Sequence, residues 1–214
     1  MGTLVYILFI SLFFPLFLMM LLVEKKARLP IVFVMVGIFT SVFASEVNGV
    51  LLNALNWTLY DATITIAPVT EELLKALPIL FYAIVFSDKK EKLFTASMAT
   101  GIGFAILENA YYLIVNYETF SMVSALIRGF GTGLMHGMCT LLVGFGISFI
   151  RKRRKLFAVG TFALLTVAIT YHSIFNMLIQ SQYSVVGALL PMATYLPFFL
   201  WRHVKKQKKN EKHK

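Results

Sequence analysis

Seven ionisable side chains stand inside apolar stretches of this sequence: Glu46, Glu71, Glu72, Lys75, Glu108, His136 and His172, with Asn48, Asn109 and Asn176 beside them. Carboxylates and imidazoles held away from bulk water are the groups from which acid–base hydrolysis, a metal site or a proton relay is built. In Glu71-Glu72-Leu73-Leu74-Lys75 the lysine follows the glutamates at i+4 and i+3, so along one helix face it neutralises one of them. Adjacent helical side chains diverge by about 100°. One cation therefore cannot pair fully with both carboxylates, and one glutamate is left to face something else. His172 and Asn176 are spaced i+4 on one face, which lets the amide orient the imidazole or donate to a developing oxyanion. No nucleophilic serine motif is evident. Cys139 lies three residues from His136 on the same helix, and no His-Glu-x-x-His pair is present.

These groups need elements to hold them, and composition says what kind. The 214 residues are 58% hydrophobic and 14% charged, with a mean hydropathy of +0.78, more apolar surface than one soluble core of this size can hide. The net charge of +10 does not signal nucleic acid, because the basic residues form short clusters between apolar runs rather than one patch. The single cysteine, Cys139, excludes an internal disulfide. No Lys or Arg precedes the first apolar run, which is longer than the core of a cleavable signal and reads as a retained span.

A membrane-crossing helix needs about 20 apolar residues, and seven segments qualify: 3–23, 31–52, 64–86, 94–115, 123–150, 156–179 and 184–202. The expected fold is an all-α polytopic bundle of about seven transmembrane helices, one domain over 1–202 followed by a basic tail over 203–214. Clusters of Lys and Arg follow the first, third, fifth and seventh spans, and the loops near 53–63, 116–122 and 180–183 hold none. Cytoplasmic loops carry the excess of basic residues, so the N-terminus is expected outside and the C-terminus in the cytoplasm of a multi-pass cell-membrane protein. The tail from Lys205 to Lys214 reads as solvated and disordered. Lys75 and Arg128 are the two cations outside this pattern.

A charge at bilayer depth costs roughly 2.5–3.5 kcal/mol and by default faces the bundle interior. With a rise of ~1.5 Å per residue, Glu46, Glu71, Glu72, Glu108 and His172 fall on the order of 10 Å below the outer ends of their spans, and His136 reaches the same level when the buried part of its span is counted from just after Arg128. Five helices thus bring polar groups to one layer. Pro68 reads as the first residue of a helix, with both glutamates in its first turn, and Pro78 as a kink in its lower half. Irregular backbone above that start is acceptable only around a water-filled cavity.

Glu71-Glu72-x-x-Lys75, Phe104-x-x-x-Glu108-Asn109, His136 in a glycine-rich helix and His172-x-x-x-Asn176 occur in this order, and the series resembles the motifs of the PrsW family of intramembrane proteases, related to the CAAX-protease and bacteriocin-processing (CPBP) superfamily. The resemblance implies a membrane endopeptidase acting on a membrane-protein substrate, in the best-known cases a single-span anti-sigma factor. It also implies Glu71, Glu72, Glu108, His136 and His172 as catalytic residues, with Asn176, Asn109 and Lys75 orienting them or the substrate. The expected mechanism is hydrolysis without a covalent intermediate or a metal, Glu71 or Glu72 serving as general base. A zinc-dependent site is the first alternative. A proton-coupled transporter or channel is the second, disfavoured by the absence of an internal repeat and by a polar layer confined to the outer half.

Overall fold

The computed structural model describes residues 2–119, 121–150 and 153–211. These form helices α1 (Gly2–Leu22), α2 (Lys25–Leu55), α3 (Leu59–Ile64), α4 (Ile66–Val85), α5 (Lys90–Val115), α6 (Met122–Leu126), α7 (Gly133–Ile147), α8 (Arg154–Ile179) and α9 (Ser184–Glu211). A π-helical segment, Ile127–Thr132, joins α6 to α7. No strand occurs among the described residues.

Five helical stretches are long and apolar enough to cross a bilayer: Thr3–Leu22, Lys25–Leu55, Lys90–Val115, Met122–Ile147 and Lys155–Ile179. The expected third span, α4, has the length but carries Glu71, Glu72 and Lys75, while the apolar part of α9 is the shorter Ser184–Tyr195. The chain is a helical membrane bundle. Its lysine-rich tail, expected to be disordered, continues α9 as helix to Glu211, and residues 212–214 lie outside the described ones.

α4 sits at the centre, packed on α2, α5, α7 and α8. Its buried face carries Glu72, Lys75, Ile79 and Ala83, and its exposed face Leu73, Leu77, Phe81 and Ile84. Charges inside and hydrocarbon outside invert the pattern of a water-soluble helix, as lipid requires. α1 packs on α2 and α5 and leaves most of its apolar surface to lipid.

The third expected span corresponds to α4, and the loop expected near 53–63 carries the short helix α3. Thr58 caps α3 by accepting from the Asp61 amide at 3.1 Å, and the chain breaks at Thr65 (φ −121°, ψ −64°) before α4 begins. That start precedes Pro68 by two residues, so Pro68 lies within the first turn, where an amide has no helical partner anyway. The glutamates fall in the second turn, one turn deeper than expected. The fifth expected span is also not uniform: its upper part is α6 and the π-helical segment, where Gly129 and Gly131 stand. Such wide turns place side chains off the regular helical register.

Close helix approach sets the position of α5. A β-carbon at Gly101 would overlap the His136 carbonyl on α7, and one at Gly103 the Val34 carbonyl on α2. Gly101→Ala is expected to force α5 and α7 apart and lower stability by about 1–3 kcal/mol. Thermal unfolding of detergent-solubilised protein checks this, and an unchanged midpoint would show that the two helices separate without cost.

Candidate active site

Glu72 on α4 is the hub of a buried polar cluster. Its Oε1 accepts from Lys75 Nζ at 2.6 Å and lies 2.9 Å from His172 Nδ1 on α8. Lys75 Nζ also reaches His136 Nδ1 on α7 at 2.8 Å, and His136 Nε2 lies 2.7 Å from Glu108 Oε2 on α5. Arg128 Nη2, from the π-helical segment, donates to Glu108 Oε1 at 3.0 Å. Glu72, Lys75, His136 and His172 are each at most 2% exposed. Four of the five helices expected to share one polar layer therefore meet in a continuous network, and the fifth, α2, joins through Asn48 instead of Glu46.

The partners assign the histidine protons. An ammonium only donates, so His136 Nδ1 accepts from Lys75 and carries its proton on Nε2, where it donates to Glu108. An ionised carboxylate only accepts, so His172 carries its proton on Nδ1, donated to Glu72, and Nε2 keeps a free lone pair. That lone pair faces Glu71 Oε2 at 3.8 Å. Glu71 Oε2 is buried and has no donor among the described residues. Glu72 Oε2 also lacks a donor, but Glu72 is already held through its other oxygen by Lys75 and His172.

The other Glu71 oxygen is tethered. Asn48 Nδ2 donates to Glu71 Oε1 at 3.3 Å, while Asn48 Oδ1 accepts from Thr70 Oγ1, which fixes which way the amide points. Asn48→Ala is expected to release Glu71 and lower turnover by about tenfold, the range for a lost bond to a charged group. Cleavage rates at matched protein levels test this, and a wild-type rate would remove Asn48 from the site.

A cavity of about 620 Å³ opens beside the cluster, at the level of the α3–α4 break, lined by Glu46, Asn48, Glu71, Glu108, Arg128 and His172 among others. Glu46 is exposed in the middle of α2 and accepts from the Tyr6 hydroxyl at 3.2 Å. A carboxylate so placed in an apolar helix needs water, and the cavity supplies the space for it.

A family model described as PrsW family intramembrane metalloprotease matches residues 25–202. The chain belongs to the PrsW family. It is an intramembrane peptidase of a multi-pass membrane protein class, acting on membrane-protein substrates within the bilayer. No curated protein and no solved structure matches the chain.

The PrsW family's description as metalloproteases meets a donor set that fits. Glu71, His136 and His172 each bring one ligand atom within 4.8 Å of the others. A carboxylate oxygen without a donor, facing an imidazole lone pair across 3.8 Å, is a donor pair that would suit a divalent cation. Glu72 behind His172 supplies the carboxylate that orients a ligating imidazole. His136 differs, because both its nitrogens are engaged and either must release Lys75 or Glu108 before it can ligate.

Among the residues expected at the PrsW site, Asn176 lines the cavity but donates to the Thr63 carbonyl at 2.9 Å, tying α8 to α3. Asn109 points elsewhere: its Nδ2 donates to the Arg128 carbonyl at 3.1 Å and holds the π-helical segment. Sequence reasoning passed over Asn48 and Arg128 as site residues. The signal was present in both: Asn48 stands beside Glu46 in an apolar run, and Arg128 is a cation outside the loop-charge pattern.

Proposed function

We propose that this protein is a metal-dependent endopeptidase that hydrolyses a peptide bond of a single-span membrane protein in the cavity beside Glu71, near the outer face. The single observation that carries the metal reading is the facing pair of Glu71 Oε2, which has no donor, and the lone pair of His172 Nε2. Glu71 and His172 would hold a zinc-class ion, with His136 as third ligand. The chemistry such an ion supplies is Lewis-acid activation of a water and of the scissile carbonyl.

The side chains do the rest. Glu72 holds His172 in the Nδ1–H tautomer, and Lys75 balances the charge of Glu72. Glu108 lines the cavity between Arg128 and His136 and serves as general base, taking one proton from the attacking water. The water oxygen bonds to the carbonyl carbon as the π pair moves onto the carbonyl oxygen. When that pair returns, the C–N bond breaks and the amine nitrogen takes the proton from Glu108, so one water is divided between two products. A cavity of this size accommodates an extended peptide segment. Basic clusters after alternate spans support the outward-facing placement, and the family resemblance supports an anti-sigma factor as one substrate class.

The test co-expresses tagged single-span reporters, anti-sigma factors included, with wild type and with Glu71→Gln, Glu108→Gln and His172→Ala. Purified proteins are assayed in parallel for bound metal. Cleavage by wild type alone, with metal lost from Glu71→Gln and His172→Ala, is the expected result. Normal cleavage by all variants overturns the protease reading. Activity indifferent to chelators, with no bound metal, overturns the metal and returns Glu71 to the role of base.

A further inference from the structure

We propose that Arg128 is the oxyanion-binding residue of this site, donating to the oxygen of the scissile carbonyl as it becomes tetrahedral; the inference rests on the peptidase reading above. The residues first suited to that task are committed elsewhere. Asn176 Nδ2 is bonded to the Thr63 carbonyl, His172 Nδ1 to Glu72, and the Nε2 proton of His136 to Glu108. Arg128 is the cation that lines the cavity. Its guanidinium carries five N–H donors. One nitrogen, Nη2, meets Glu108 at 3.0 Å, whereas Nε is buried without a hydrogen-bond partner among the described residues.

The group is held for this task from three sides. The guanidinium carbon stacks 3.8 Å from the centroid of the Tyr112 ring, Glu108 fixes the fork from one edge, and Asn109 clamps the Arg128 backbone carbonyl at 3.1 Å. Arg128 stands in the π-helical turn, and its side chain lines the cavity. A fixed cation beside the general base meets negative charge as it forms, without reorganising, which is how oxyanion donors accelerate acyl transfer. The charge it stabilises is that of the carbonyl π pair held on the oxygen, and the pair returns to the carbonyl when the C–N bond breaks. Lysine preserves the charge beside Glu108 but not the planar fork.

The experiment uses the full-length protein and a reporter that wild type cleaves, with the cut bond mapped by mass spectrometry. Two peptides are built on that bond, one with a phosphinate in place of the amide, which mimics the tetrahedral anion, and one with a reduced amide, which has no carbonyl oxygen. Arg128→Lys and Arg128→Gln are expected to lower kcat by about 10²–10³ with little change in KM, the range for one lost oxyanion donor. Both are expected to weaken phosphinate binding at least tenfold while leaving the reduced amide unaffected. Equal weakening of both peptides assigns Arg128 to structure and overturns the proposal. So does a loss of kcat with both affinities intact, since Arg128 would then act only through Glu108. Wild type that cleaves no reporter overturns the peptidase reading itself.

Discussion

Glu71→Gln is expected to abolish cleavage, lowering kcat/KM by about 10³-fold or more, as removal of a directly acting group does. The fold should be indifferent. Glu71 accepts one bond, from Asn48 at 3.3 Å, which a glutamine oxygen also accepts, and its second oxygen has no donor to lose. Glu72→Gln differs in kind, because Glu72 never faces the substrate side of the cluster. It orients His172 through Nδ1 and pairs with Lys75, so its loss acts through the ligand it supports, at about 10–100-fold in metal affinity. Titrating metal back into each purified variant separates them: Glu72→Gln should regain activity at high metal, and Glu71→Gln should not. Recovery of Glu71→Gln would assign the two glutamates the other way round.

Lys75→Met is expected to cost about 3–5 kcal/mol of stability, the range for removing one partner of a buried ion pair. Lys75 is 0% exposed and Glu72 1%, so no water replaces the missing ammonium. His136 Nδ1 would lose its donor in the same step. The double variant Lys75→Met/Glu72→Gln should recover more than half of that loss, since no uncompensated charge remains, yet it should stay slow in cleavage because His172 has lost its carboxylate. Unfolding in detergent micelles gives the first quantity and reporter cleavage the second. A double variant no more stable than Lys75→Met would mean that the lysine acts through packing, including its position 4.7 Å over the Phe104 ring, and not through charge.

The burial of Lys75 and Glu72 was readable from their i, i+3 spacing within an apolar run, because a lone charge there could not be inserted. The same logic carried Glu108, His136 and His172 to one depth. It could not say which of two adjacent carboxylates would take the lysine, since that depends on how α4 is rotated between α7 and α8. It placed the start of α4 at Pro68 with irregular backbone above, two residues from where the helix begins, but could not see the wide turn around Arg128, which lies in sequence that satisfies a helix by composition.

The membrane bundle, the family and the set of polar residues at bilayer depth are legible in the chain, because hydrophobicity, loop charge and motif order are properties of residues taken in order. Their partners are settled by packing: Glu72 with Lys75 and His172, Glu71 left with an oxygen that has no donor among the described residues, Asn109 bonded to the Arg128 carbonyl, and Arg128 lining the cavity. Those assignments follow from helix rotation and from approaches as close as Gly101 against the His136 carbonyl. Periodicity along one helix carries no record of the angle at which its neighbours stand.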